Sequence, residues 1–375
     1  MAGIYIHIPY CAKKCIYCDF YFRISRKDMS EMVCSICSEI KQRKGYLNNK
    51  DINTIYFGGG TPSLLSLKET EKILNEIYKN YNVSGDAEIT CEANPDDLTK
   101  IKLTGLKKLG VNRLSIGIQS FIDKDLKFLN RSHSSEQAIK CVKEAQEVGF
   151  NNISVDLIYG IPNQTFKQWI ENLNTFFSLE IQHFSAYSLT IEEKTKLAEL
   201  VKIKKVTPVT EKKNIKQFEK LLELAEVNKF IHYEISNFGK KGFFSKHNTS
   251  YWQNKLFLGV GPSAHSFNGN SRRWNVSSNK KYIENIKLGI SFYEEEKLDK
   301  NKIYNEYILT NLRTIWGINL SKVGVRFGDK IKTHLSNELK KWINKEYLLE
   351  QDGVYILSKK GRLFADKISS DLFII

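Results

Sequence analysis

Several familiar signals are missing from this chain of 375 residues. No stretch approaches the ~18 consecutive apolar residues of a membrane-spanning helix. The first residues lack the charged segment and apolar core of a secretory leader and enter an alternating run, Ile4-Tyr-Ile-His-Ile8, almost at once. The seven cysteines are an odd number in a chain of this length and do not form a disulfide framework. These absences predict a reducing, cytoplasmic setting. A second cysteine pair of zinc-site spacing is missing too, and so are a Walker loop and a G-x-G-x-x-G turn. What remains is an ordinary globular composition, 41% hydrophobic and 12% aromatic. The length suits one large domain, or one large and one small.

The formal charge of +15 could serve nucleic acid, an anionic membrane or an acidic substrate. The lysines are spread along the chain, however, and their runs (Lys202 to Lys205, Lys212-Lys213, Lys240-Lys241) are short and scattered. No specific nucleic-acid partner is expected.

The densest chemistry comes first. Cys11-Ala-Lys-Lys-Cys15-Ile-Tyr-Cys18 sets three cysteines at C-x3-C-x2-C directly after an apolar run. Soft thiolates select iron–sulfur clusters or zinc. Three thiolates on a four-iron cluster leave one iron open to chelation by a small molecule. A zinc knuckle completed by His7 is the competing assignment.

Six apolar strands are expected near Ile4–Ile8, Thr54–Phe57, Ala87–Cys91, Arg113–Ile118, 152–158 and 183–189. Helices between them open with capping boxes at Ser66/Glu69, Ser134/Gln137 and Thr165/Gln168. Gly110 and Gly149 stand where helices end. Such a series predicts an α/β fold with a parallel sheet, doubly wound or curved into a partial barrel. In such folds the site forms at the carboxyl ends of the strands. Polar residues do gather there: the three cysteines, Gly58-Gly-Gly-Thr-Pro-Ser63, Glu92 and Asn94, Gln119-Ser120, Asp156, and then Tyr187, Ser188 and Thr190. The glycine run would let backbone approach a ligand and offer N–H groups to an anion; a tight turn explains it equally well. Glu92 needs a partner beside an apolar strand, either a ligand or a salt bridge to Arg113 or a lysine.

Tyr5-Ile-His-Ile-Pro9 with its cysteines, Gly58-Gly-Gly-Thr-Pro-Ser-Leu-Leu65, Ser115-Ile-Gly-Ile-Gln-Ser-Phe121 and Asp156-Leu-Ile-Tyr-Gly-Ile-Pro162 resemble, in this order, the oxygen-independent coproporphyrinogen III oxidase family of radical S-adenosylmethionine (SAM) proteins. The resemblance covers nearly the whole chain. It implies a partial (β/α)6 barrel and a [4Fe-4S] cluster on Cys11, Cys15 and Cys18 whose open iron binds SAM. It further implies that Tyr5 and Tyr17 flank cluster and SAM, and that Gly59, Gly60 and Thr61 contact the methionyl end. Glu92 would meet the amino-acid or ribose part, and Gln119, Arg131, Asp156 and Thr190 would line a second SAM position.

Two departures point to a sister branch, the HemW-type haem chaperones. Phe20 stands where the oxidases carry a fourth cysteine, and only ten residues precede Cys11. The run His247-Asn-Thr-Ser-Tyr-Trp252 also matches that branch's H-N-x-x-Y-W signature. The resemblance then implies binding of haem b and its delivery to an acceptor protein, a respiratory partner at a membrane being one candidate. Histidine is a common haem ligand, which makes His247 the leading axial candidate and His265, in Gly259-Val-Gly-Pro-Ser-Ala-His265, a second. A hydrogen-bonded His247 on a barrel-closing strand is the alternative. A true oxidase, removing hydrogen from two propionates with loss of CO2, is the alternative activity; a nucleic-acid-modifying radical enzyme is a remote one. The sequence leaves a homodimer open.

The expected layout is a partial barrel over 1–190, a barrel-closing and insertion region over 191–290, and a winged-helix-like α+β module over 291–375. Helices are expected over 301–315, 328–345 and 359–369, with a hairpin at Asp352-Gly353. Glu192–Lys213 reads as an insertion loop or short exposed helix. Cys34 and Cys37 fall within a helical pattern on one face, Cys91 and Cys141 read as buried thiols, and His133 and His183 as structural.

Overall fold

In a computed structural model, which describes residues 2–47 and 51–374, alternation of apolar strands and capped helices produces a long parallel run. Its elements are β1 (Ala2–Ile8), α1 (Met29–Gln42), β2 (Asp51–Gly59), α2 (Leu67–Asn80), β3 (Asn82–Ala93), α3 (Lys100–Lys108), β4 (Arg113–Gln119), α4 (Asp123–Phe128), α5 (Ser135–Glu147), β5 (Ile153–Tyr159), α6 (Phe166–Ser178) and β6 (His183–Ser188). Strands β1 to β6 pair in sequence order, each parallel to the next. All three capping boxes form, at the starts of α2, α5 and α6. Each satisfies two backbone N–H groups that the helix itself cannot. Gly110 and Gly149 take positive φ, +92° and +93°, just beyond α3 and α5. The strands are buried on both faces, as parallel strands covered by helices must be.

The sheet extends further at both edges. Next come α7 (Lys196–Lys202), α8 (Glu211–Val227), β7 (Ile231–Glu234), β8 (Asn237–Gly239), α9 (Lys246–Trp252), β9 (Leu256–Val260), β10 (His265–Phe267), β11 (Ser271–Asn275), α10 (Asn279–Leu288) and β12 (Tyr293–Lys297). β9 pairs parallel to β1, whereas β8 pairs antiparallel to β6. The twelve-stranded order is β12-β11-β10-β9-β1-β2-β3-β4-β5-β6-β8-β7. Among the described residues its two ends do not pair with each other, so the sheet stays open, as in a partial barrel. The segment expected as an insertion holds α7, anchored by buried Leu197, and leads into α8.

A buried polar knot fastens α1 to the β9–β11 edge. Glu39, fully buried, accepts from Arg43 (3.0 Å), Asn275 Nδ2 (2.8 Å), the Gly261 N–H (2.8 Å) and the Tyr282 hydroxyl (2.5 Å). With so many donors the carboxylate is compensated inside the fold.

The C-terminal lobe contains α11 (Lys300–Leu312), β13 (Ile318–Asn319), α12 (Leu320–Phe327), α13 (Asp329–Ile343), β14 (Leu348–Gln351), β15 (Val354–Leu357), a 3-10 turn over Gly361–Phe364 and α14 (Ala365–Asp371). Helix, short strand, two helices and a hairpin follow each other in winged-helix order. The hairpin turns at Asp352 and Gly353, both at positive φ (51° and 73°), the requirement of a type I′ turn. This lobe has its own core, from Tyr304 to Leu372, separate from the core that spans Ala2 to Phe292. It docks through Arg313, which pairs with buried Glu234 at 3.1 Å, and through the backbone bonds Ile235 N–H to Arg313 O and Ile315 N–H to Tyr233 O.

Candidate cofactor and ligand cavity

The carboxyl ends of the parallel strands open into one cavity of about 980 Å³. That is the upper end of the range for small-molecule sites. The loop after β1 brings Cys11, Cys15, Tyr17 and Cys18 to it, and the end of β2 brings Gly59, Gly60 and Thr61. Glu92 comes from β3, Gln119 from β4, Arg131 from the turn before α5, Asp156 from β5 and Thr190 from beyond β6. Twelve residues singled out in the sequence thus share one wall system. Tyr5, His247 and His265 are not on it.

The three cysteines are half-buried and none is in a disulfide. Thr61 Oγ1 donates to Cys11 Sγ at 3.4 Å, and Arg131 Nη1 to Cys15 Sγ at 3.4 Å. Arg131 Nη2 is held by Asn94 Oδ1 and Gly117 O, both at 2.6 Å. Burial pushes the Cys11 thiol up to about 11 and raises Cys18 as well. Among the described residues no group of three His, Cys, Asp or Glu side chains could hold a single metal ion. Three separate thiols on one loop, with an arginine and a hydroxyl donating to sulfur, fit a multi-iron cluster better than a mononuclear zinc.

The glycine run works differently from its expected role as an anion cradle. Gly59 N–H donates to Glu92 Oε2 at 3.2 Å and Gly60 N–H to Ile8 O at 2.9 Å, so both amides are already engaged. Close approach is what demands glycine at residue 60. A Cβ there would lie 2.5 Å from Tyr10 O and 2.9 Å from Ile8 O.

Glu92 also accepts from Tyr56 OH at 2.7 Å. Burial, reinforced by nearby Asp156, lifts its carboxyl to about 7 despite these two donors. Burial likewise lifts Asp156 to about 6. Arg113 lies deeper, fully buried, with its Nε and Nη1 lacking partners. Gln119 adopts φ +71°, uncommon for a residue with a side chain and often found at functional sites.

A model of the radical SAM superfamily matches residues 5–176. The haem chaperone HemW of Bacillus subtilis (strain 168) is 33% identical over 372 residues, 98% of each chain. The chain belongs to the HemW family. HemW of Lactococcus lactis is 31% identical, over 95% of this chain and 93% of its own. Among solved structures, coproporphyrinogen III oxidase (HemN) of Escherichia coli has a TM-score of 0.86 at 20% identity, covering 99% of this chain and 90% of that one. At that identity the likeness shows the fold, an α/β radical SAM fold with a small C-terminal antiparallel sheet.

The segment His247-Asn-Thr-Ser-Tyr-Trp252 lies in α9 rather than in a strand. His247 is buried, with Nδ1 2.8 Å from Thr54 Oγ1 and Nε2 2.8 Å from Tyr251 OH. Its ring stacks on Tyr56 at 4.9 Å, and burial lowers it to about 3, so it is neutral. Tyr5 stacks beside the same ring at 6.4 Å. His265 is exposed on β10, 6.3 Å from Trp274. Phe20 is 72% exposed on the cavity rim. His133 and His183 have protein partners, Ile118 O for the first and Ser154 and Tyr233 for the second. Cys34 and Cys37 sit on α1, the first exposed and the second buried.

Sequence reasoning missed the other half of the cavity. Arg313, Arg362, Leu363 and Phe364 reach it from the C-terminal lobe, and Asn214 and Phe218 from α8. No spacing in the sequence marks them. The four from the C-terminal lobe meet the strand ends only because that lobe docks on β7.

Proposed function

We propose that this chain is a haem chaperone, which binds haem and a SAM-coordinated [4Fe-4S] cluster and passes haem to an acceptor protein. The observation that carries this reading is the end-to-end likeness to a protein named a haem chaperone, 33% identical across 98% of both chains. Phe20 and the cavity's apolar rim support it.

Cys11, Cys15 and Cys18 would hold the cluster, which would supply one-electron chemistry toward bound SAM. Arg131 and Thr61 donate to two of the sulfurs and offset thiolate charge. Glu92, ionised above about pH 7, is suited to the ammonium or a ribose hydroxyl of SAM. Tyr17, Gly59, Gly60 and Thr61 border the same space, and Gln119, Asp156 and Thr190 extend it toward a second ligand position. Tyr5 would act from behind, through its stacking on Tyr56 at 6.1 Å. An axial role for His247 requires opening α9 from β2, and one for His265 requires the iron to stand outside the cavity. Porphyrin affinity within the cavity is therefore ascribed to its walls.

The test is anaerobic. Protein with reconstituted cluster is given haem, and separately SAM, a strong reductant and coproporphyrinogen III. The expected result is stoichiometric haem retained through gel filtration, transfer to an apo-acceptor and no decarboxylated porphyrin. Catalytic formation of that product would replace this reading with the oxidase.

A further inference from the structure

The cavity's second wall carries a cation that no carboxylate among the described residues neutralises. Three basic side chains of the C-terminal lobe reach the cavity. Arg313 pairs with Glu234 at 3.1 Å and Asp366 at 3.2 Å, and Lys367 pairs with Asp371 at 2.6 Å. Arg362 has no carboxylate partner among the described residues. Its side-chain bond runs from Nη1 to Nδ1 of His232, at 2.5 Å. The Nε2 of that ring faces Ile235 O at 2.8 Å. A carbonyl can only accept, so Nε2 carries the proton and Nδ1 offers its lone pair to Arg362. His232 is therefore neutral; burial, with the arginine's charge, holds it at about 3. It positions the guanidinium without compensating it. A partly buried arginine without an anion is costly; burial pushes its pKa down, yet the guanidinium stays charged. Its fork has five N–H donors, and those not used on His232 are left at the cavity wall.

The neighbours of Arg362 are apolar and exposed, Leu363 at 38% and Phe364 at 39%. Tyr187 and Phe20, 44% and 72% exposed, border the same cavity from the barrel lobe. A bidentate carboxylate receptor beside aromatic and aliphatic surface calls for a flat apolar molecule bearing a carboxylate.

We propose that Arg362, with Leu363 and Phe364 beside it, forms the carboxylate-binding wall of the cavity and takes a propionate of a porphyrin. This rests on the haem-carrier reading and adds to it the residue that recognises the cargo's acidic edge. The cation selects the free acid, and the adjoining side chains pack against the ring.

The discriminating probes are protoporphyrin IX and its dimethyl ester, which have one macrocycle and differ in their carboxylates. Neither contains iron, so histidine ligation drops out. Full-length protein is titrated with each, and with haem, by tryptophan quenching and Soret absorbance. Arg362→Gln is expected to weaken the diacid about tenfold or more and leave the ester unchanged. Arg362→Lys keeps the charge without the fork and should fall between, which covers the case of a Gln variant that folds poorly. Phe364→Ala should weaken acid and ester alike. Unchanged diacid affinity in Arg362→Gln, or equal loss of acid and ester, overturns the proposal. If the unaltered protein binds neither haem nor protoporphyrin, the haem-carrier reading itself fails, a result distinct from a carrier whose affinity ignores Arg362.

Discussion

Glu92 shows how much one side chain's surroundings decide. With its carboxyl near 7, a cationic ligand must drive off a proton to bind below that pH. SAM affinity is expected to rise with pH, by up to about tenfold per unit below 7, and to level off above it. Isothermal titration from pH 6 to 8 measures this, and Glu92→Gln should flatten the curve while lowering the plateau. A wild-type profile as flat as the variant's would remove Glu92 from the binding site. The cysteines make a sharper case. Substituting Cys11, Cys15 or Cys18 singly with Ala should abolish the reconstituted cluster's visible absorbance, whereas Cys34→Ala and Cys37→Ala should leave it intact. Loss with either of the latter would disprove the ligand set. These residues were legible in the sequence because each lies at or beyond the carboxyl end of an apolar strand. Arg362 was not, because its neighbour His232 is 130 positions away.

At the scale of elements, α9 was read for its chemistry, and in the structure its histidine is also a packing residue. His247 bonds Thr54 of β2 and Tyr251 of its own helix, and Glu88 of β3 accepts the backbone N–H groups of Lys246 and His247 at 3.1 and 3.0 Å. Removing the ring leaves a buried hydroxyl unpartnered and a void behind two tyrosines. His247→Ala is expected to cost about 2–4 kcal/mol of stability, measured by denaturant unfolding of the cluster-free protein. A loss of haem retention without any loss of stability would instead favour an iron ligand. The helix starts were the most legible elements, since a capping box is a local device that packing rarely overrides. Ser134→Ala, at the start of α5, should cost about 1 kcal/mol. The glycine run misled in part. Its sequence shows freedom of approach but not that Glu92 and Ile8 already occupy the two amides.

For the whole molecule, burial of histidine sets the response to acid. His7 and His133 are lowered to about 4, His232 and His247 to about 3, and His183 well below its usual value, burial being the first cause in each. Unfolding lets all five take up protons near pH 6.5. The unfolded chain therefore binds more protons than the folded one between about 6.5 and 4, and stability falls as pH falls through that window. Glu92 and Asp156, raised to about 7 and 6, work in the opposite direction, as does Asp97, also raised by burial. Five outweigh three, so the urea midpoint should be lower at pH 5 than at pH 7.5; an equal or higher midpoint at pH 5 would contradict the burial of these rings. The parallel sheet was legible from alternation and capping. The docking of the second lobe was not, because its contacts are tertiary and carry no local pattern.

That docking gives the cavity two owners. Glu92 and Asp156 belong to the lobe built on one core, and Arg362 and Phe364 to the lobe built on the other. A guest lodged between them acts as mortar, and by mass action the loaded protein is harder to pry apart than the empty one. Unloading then becomes a matter of leverage: a pull on the C-terminal lobe would loosen the guest without ever touching it.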